Sequence, residues 1–156
     1  MDFVGGFHMN TAIVYVSLHH GSTKKLVDAI SDKHDVTLID AATMPTADLS
    51  GYDLIGFASG VAFGNLYKQM NAFIEKNLPD SKRVFFLFTC GRKAKDYSAA
   101  MQALAVRKCC TVAGSYGCSG FDTYGPFKLV GGLNKGHPDE SEIKGAVEFF
   151  ERLREQ

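Results

Sequence analysis

The chain has 156 residues, of which 46% are hydrophobic, and its 17 basic and 17 acidic side chains sum to a net charge of zero. That is enough apolar material for one packed core, and the balanced charge gives nucleic acid no electrostatic footprint. No apolar run approaches a membrane span and no signal-peptide pattern is visible; four cysteines (Cys90, Cys109, Cys110, Cys118) without a C-x-x-C spacing suit a reducing compartment, so a cytoplasmic location is expected.

Residues 1–8 are Gly-rich and aperiodic and precede a second methionine, Met9; they read as an expression remnant or an extended start, with residues 9–156 as one domain. Ala12-Ile13-Val14-Tyr15-Val16 predicts the first strand, and Leu26, Val27 and Ile30 mark one face of the helix after it. Val36–Ile39 predicts a second strand and, beyond a loop carrying Pro45, Asp53–Phe57 a third. Leu66, Met70, Phe73, Ile74 and Leu78 then recur at helical spacing. Val84-Phe85-Phe86-Leu87-Phe88 is apolar on both faces, as an internal parallel strand should be. A helix burying Met101, Leu104 and Ala105 leads to a fifth strand at 111–117, and a last helix begins near Pro138 and buries Ile143, Val147, Phe150 and Leu153. Strands alternating with helices predict an α/β fold, a doubly wound five-stranded parallel sheet of order 2-1-3-4-5 in a three-layer α/β/α sandwich.

In such sheets ligands bind beyond the carboxyl ends of the strands. The segment there after strand one is Ser17-Leu18-His19-His20-Gly21-Ser22-Thr23. A strand that ends in small hydroxylated residues and opens a helix gathers backbone N–H groups and the positive end of the helix dipole at one spot, which favours an anion. Ser17, Ser22 and Thr23 add hydroxyls, and Gly21 allows close backbone approach. Neither Gly-x-x-x-x-Gly-Lys-Ser/Thr nor Gly-x-Gly-x-x-Gly is present. What remains is a cradle for a monophosphate, set against the plainer alternative of a Ser/Thr-capped helix start. A second loop, Ser59-Gly60-Val61-Ala62-Phe63-Gly64-Asn65, offers glycine backbone to a flat ligand and Phe63 to cover it. A third, Thr89-Cys90-Gly91-Arg92, has Tyr97 shortly after. A phosphate site beside two Gly/aromatic loops suits a phosphorylated planar ligand, with flavin mononucleotide (FMN) the candidate.

From Thr11 to the final helix the chain resembles flavodoxin-like proteins. S-L-H-H-G-S-T is similar to their FMN phosphate loop. It is one residue longer than the Ser/Thr-x-Thr-Gly-x-Thr of short-loop carriers, with His20 in place of a hydroxyl, and this spacing is similar to that of flavodoxin-like protoporphyrinogen oxidases. Phe63-Gly64 resembles the family loop whose backbone carbonyl pairs with flavin N5 on reduction, Gly64 matching its glycine, and the third loop corresponds to the one along the other side of the ring. The resemblance implies a cofactor site drawn from Ser17, His19, His20, Gly21, Ser22, Thr23, Ser59, Gly60, Phe63, Gly64, Thr89, Cys90, Gly91, Arg92, Tyr97, Phe121 and Asp122. It implies bound FMN and electron transfer to or from a quinone-like, porphyrinogen-like or nicotinamide partner. The other readings are an electron carrier between proteins and a flavin-free binding module. Dedicated carriers of the family are strongly acidic; a neutral chain departs from them, which counts against a pure carrier and favours an FMN-dependent redox protein whose acceptor, a protein or a small molecule, is left open.

The segment from Gly120 to His137 has no helical or strand period, yet Phe121, Tyr124 and Phe127 supply apolar area, so residues 120–132 are expected to close over the flavin or to pack as a surface loop over strand five. This element also resembles a group of small bacterial flavodoxin-family proteins. His19, His20, Cys90 and Cys118 lack metal-ligand spacing, and no metal site is expected. Cys90 reads as a buried small hydrophobe or a reactive thiol, and Asp40 as a loop cap. Arg92, Lys93 and Lys95 form a small basic cluster, either solvated or open to an acidic partner or a nicotinamide dinucleotide phosphate.

Overall fold

The computed structural model describes residues 8–18, 21–92, 94–121, 132 and 134–156. His19, His20, Lys93, Asp122, Tyr124 and Phe127 lie outside the described residues, as do residues 1–7 and, of the 120–132 segment expected to close over the flavin, residues 122–131.

Strands β1 (Thr11–Val16), β2 (Thr37–Asp40), β3 (Leu54–Ala62), β5 (Arg83–Cys90) and β6 (Thr111–Ser119) form a parallel sheet in the order β2-β1-β3-β5-β6; a two-residue β4 (Asn65–Leu66) pairs antiparallel with β3. With β4 set aside, this is the anticipated 2-1-3-4-5 arrangement. The strand reversal falls between β1 and β3, where the two crossovers leave in opposite directions.

Period-2 alternation sorts the side chains between two cores. Ala12, Val14, Val16, Ile55, Phe57, Val84, Phe86 and Phe88 face α2 (Lys68–Asn77) and α3 (Ala99–Arg107), packing with Met70, Phe73, Ile74, Met101, Leu104 and Ala105. Ile13, Leu54, Ala58, Phe85 and Leu87 face α1 (Ser22–Lys33) and α4 (Glu140–Arg154), meeting Val27, Ile30, Val147, Phe149, Phe150 and Leu153. Each buried Phe or Leu contributes roughly 1.5–3 kcal/mol of burial, and β5, whose residues 84–90 are all buried, serves both cores, as β1 and β3 do. Gly56 opposite Phe85 and Gly117 opposite Phe88 leave room for those rings: a Cβ added there would stand 2.3 and 2.1 Å from ring carbons.

Two elements differ from the sequence expectation. Ser59 to Ala62 continue β3 rather than forming a loop, and the chain reverses in a two-residue turn, Phe63 (φ 54°) and Gly64 (φ 79°), that pairs Ala62 with Asn65. Two successive left-handed residues match the twist of a tight hairpin. Leu66 consequently sits in β4 and not in the second helix, its side chain still buried against the α2 side of the sheet. The last helix begins at Glu140 behind the capping residue Asp139, whose side chain accepts from Glu142 N–H while Glu142 accepts from Asp139 N–H. This reciprocal box satisfies two N-terminal donors.

Candidate functional site

Because β1, β3, β5 and β6 run parallel, their carboxyl ends share one edge. The register pairs Val16 with Ser59, Ser59 with Phe88, Gly60 with Thr89, and Thr89 with Cys118. The segments after β1, β3, β5 and β6 therefore emerge side by side, as the sequence anticipated for the first three.

At the start of α1, Gly21, which has no side chain to cap with, takes the N-cap position in the left-handed region (φ 69°, ψ 22°). A Cβ placed on Gly21 would meet nothing within 4 Å. Ser17 is half-buried, and its hydroxyl accepts from Lys24 N–H at 3.2 Å, leaving its own proton to donate. Ser22 is buried; its Oγ accepts from Phe121 N–H at 3.2 Å. Thr23, 2% exposed, pairs hydroxyl to hydroxyl with buried Thr89 at 2.9 Å. The helix start is thus fixed to β5 through Thr23 and to the chain beyond β6 through Ser22, and among the described residues Ser17 is the side chain that accepts from a first-turn N–H, that of Lys24, leaving the N–H groups of residues 21–23 at the dipole end. An anion seated there gains oriented N–H donors and the helix field.

The second segment is more rigid than a loop. Ser59 is fully buried, its hydroxyl donating to Gly60 C=O at 2.7 Å and accepting from Tyr67 N–H at 3.0 Å. Gly60 accommodates Tyr67: a Cβ on it would lie 2.4 Å from the Tyr67 hydroxyl. Phe63, at the hairpin tip, is 87% exposed. Thr89 and Cys90 complete β5 rather than opening a loop. Gly91 and Arg92 follow, and the Tyr97 hydroxyl donates back to Arg92 C=O at 2.6 Å while its ring meets Phe88 edge-on at 5.8 Å. A cavity of about 390 Å³ opens under residues 94–96, bounded also by Phe88, Ser115 and Gly117.

Cys90 and Cys118 do not converge. Cys90 packs on the α2/α3 side, Cys118 with Leu26 and Ala146 on the α1/α4 side, and the Cys90 thiol contacts Cys118 C=O at 3.5 Å. Asp40 accepts from Ala42 N–H at 3.0 Å, a local turn bond.

Several participants were not evident beforehand. Gly120 donates its N–H to Cys90 C=O, and a Cβ on it would stand 3.0 Å from Ser22 Cβ and from Thr89 Cβ, so this glycine lets the chain cross between cradle and β5. Phe121 N–H also reaches His137 C=O at 3.0 Å, and Asn134 donates to Gly91 C=O. The His137 imidazole pairs with Glu142, whose second oxygen accepts from Ser119 N–H at 3.0 Å. That Glu142 contact holds the His137 pKa above its ordinary value. Asp139-x-x-Glu142 is legible as a capping box; its bond to β6 is not. His137, Asp139 and Glu142 lie close enough to share a cation, yet the helix cap, Ser119 and His137 itself account for the Glu142 oxygens.

The family model described as Flavodoxin domain matches residues 12–115. Over 93% of the chain and 98% of its own length, Uncharacterized protein MJ0298 of Methanocaldococcus jannaschii is 36% identical. The chain belongs to the flavodoxin family. Among solved structures, this family member is similar to a short-chain flavodoxin associated with a non-canonical PDU bacterial microcompartment (TM-score 0.66, 15% identity, 94% of this chain and 98% of that one). It is also similar to an NADH:FMN oxidoreductase in its apo form (TM-score 0.60, 12% identity, 93% and 88% covered). At those identities the likeness establishes the flavodoxin fold. Family and fold together imply a flavin cofactor, and the glycine-started, hydroxyl-flanked N-terminus of α1, on the sheet edge that also carries the hairpin and the Tyr97 segment, fits a phosphorylated one. No helix among the described residues is long and apolar enough to cross a membrane.

Proposed function

We propose that this flavodoxin-family chain is a cytoplasmic FMN-dependent redox protein. The observation that carries the reading is the N-terminus of α1, where the N-cap is a left-handed glycine, Gly21, with the Ser17 and Ser22 hydroxyls beside it, on the same sheet edge as the Phe63–Gly64 turn and the Gly91–Tyr97 segment. Bound FMN supplies one- and two-electron chemistry on its isoalloxazine ring, and the protein supplies binding, orientation and electrostatics. Backbone N–H groups of residues 21–23 and the hydroxyls of Ser17 and Ser22 would hold the phosphate. Thr23 acts as a positioning residue, fixing the first turn through Thr89. Phe63, Gly64, Gly91, Arg92 and Tyr97 would border the ring, with Ser59 and Gly60 setting the hairpin's base and Phe121 fixing the far wall through Ser22. His19, His20 and Asp122 complete the proposed contacts. The electron partner is a protein or a small acceptor that approaches this edge.

The test is relative affinity for FMN and riboflavin, read by fluorescence quenching, together with the visible spectrum of freshly purified protein. Each hydrogen bond to a charged phosphate is worth about 1.5–3 kcal/mol, so two surviving donors predict a preference for FMN on the order of a hundredfold or more. Equal affinities would remove the cradle from the reading.

A further inference from the structure

The hairpin tip and the segment after β5, whose Phe63 and Arg92 would border the ring, also carry Lys68 and Lys95, two cations that flavin binding does not account for. Phe63 projects at the end of β3, 87% exposed, in a left-handed conformation that a side chain of its size rarely adopts. Beside it, the Lys95 ammonium lies 3.7 Å from where a Gly64 Cβ would be and 5.4 Å from the Tyr97 ring centroid. Arg92 is exposed on the same segment, and exposed Lys68 opens α2 directly after the hairpin. Among the described residues, Lys68, Arg92 and Lys95 form no ion pair.

The one carboxylate in this segment is turned to other work. Asp96 accepts from Ser98 N–H (2.9 Å) and Oγ (2.5 Å), from Ser115 Oγ (2.5 Å) and from Gln102 Nε2 (3.0 Å). Neutral donors thus hold the Asp96 carboxylate, which forms no ion pair with Lys95 among the described residues and leaves the patch with three cations against one anion, and the acidic start of α4 is given to its own cap and to His137. An exposed aromatic with cations beside it is an interface arrangement: the ring anchors, and the charges steer and orient the partner.

We propose that Phe63, Lys68, Arg92 and Lys95 form a docking patch for an acidic redox protein at the edge where the flavin is placed. The proposal rests on the redox reading above for its purpose, but the surface itself exists without the cofactor. An acidic partner gains attraction from three cations set against one carboxylate, Asp96, whereas a basic one meets like charge in excess and is disfavoured.

Amide resonances of the isotope-labelled, flavin-free chain, titrated with rubredoxin as the acidic probe and cytochrome c as the basic one at low and physiological salt, test this. Rubredoxin is expected to move the Phe63, Gly64 and Lys95 amides, more weakly as salt rises, while cytochrome c leaves them in place. A variant carrying Lys68→Glu and Lys95→Glu, with its remaining spectrum unchanged, is expected to bind rubredoxin about tenfold more weakly. The proposal is overturned if cytochrome c binds the patch preferentially, if rubredoxin does not bind or moves amides elsewhere, or if the double variant binds rubredoxin equally well. It is overturned also if NADPH moves these amides and rubredoxin does not, which would make the patch a dinucleotide-phosphate site. Failure of FMN to bind would defeat the redox reading, whereas intact FMN binding without rubredoxin binding would defeat the patch alone.

Discussion

Replacing Thr89 by Val keeps the shape of the side chain and removes one member of a buried pair. Thr23 Oγ1 would then be stranded: its residue is 2% exposed, and the 2.9 Å contact with Thr89 is the bond that satisfies it. An unsatisfied buried hydroxyl costs about 1–3 kcal/mol. For a chain of this size each kilocalorie lowers Tm by roughly 2–4 °C, so Thr89→Val is expected to melt lower by roughly 2–12 °C. Thr23→Val should cost a similar amount. The double variant replaces both hydroxyls with apolar groups of the same shape, and its loss should fall well short of the sum, with a coupling energy on the order of 1–2 kcal/mol. Denaturant unfolding of the four flavin-free proteins measures the cycle. Strictly additive losses would show that the two hydroxyls do not satisfy one another, and the account of how α1 is fastened to β5 would be wrong. FMN affinity supplies a second reading: backbone donors survive the double substitution, so binding should persist in it and be weakened most by Ser17→Ala.

Gly117→Ala forces a Cβ to within 2.1 Å of the Phe88 ring, and a loss of about 1–3 kcal/mol is expected by denaturant unfolding. Gly51→Ala, where nothing lies within 4 Å, should be near neutral and serves as the control. Gly120→Ala presses on Ser22 and Thr89 Cβ atoms, both 3.0 Å away, and is expected to weaken FMN, by fluorescence titration, more than Gly117→Ala does. The His137 pKa is raised by its bond to Glu142, so the pair's stabilising contribution is fully present below the ordinary imidazole pKa and is lost as pH rises through the raised value. The stability difference between wild type and His137→Asn should therefore shrink with rising pH, together with exchange protection at the Phe121 amide; a difference that is flat across that window would refute the linkage.

What the sequence revealed, and what it concealed, follows the range of the interactions concerned. Val84–Phe88 announced a central strand because five consecutive apolar residues need cover on both faces, and α1, α2 and α4 announced themselves through apolar spacing. The hairpin was hidden because Ala62-Phe63-Gly64-Asn65 carries glycine only at its second central position; a bulky residue at the first is an atypical turn former, so Ser59–Asn65 read as loop. Register concealed more. Thr89 pairs with Cys118, and Cys90 with Ser119, so the two thiols fall on opposite faces, a consequence of one residue's offset. Thr23 with Thr89, Gly120 with Ser22, and Glu142 with Ser119 are each set by how crossovers bring distant segments together. No local pattern encodes such a meeting.

A net charge of zero is a poor guide to how this molecule meets a partner. Screening confines an exposed charge's influence to about 8–10 Å at physiological ionic strength, so an approaching protein responds to the residues near its landing site and not to the chain's total. At the hairpin those residues are three cations, Lys68, Arg92 and Lys95, against one carboxylate, Asp96, which is turned toward Ser98, Gln102 and Ser115. Burial pushes the Asp96 carboxyl pKa up, but hydrogen bonds from Ser115, Ser98 and Gln102 outweigh it and leave the pKa below its ordinary value. The carboxylate is thereby held in its anionic form and directed toward its donors, and the cations at the tip form no ion pair among the described residues. The total charge of zero, which in the sequence argued against a carrier, thus argues only against one that presents an acidic face. A carrier or reductase whose partner is itself acidic would need the arrangement present here.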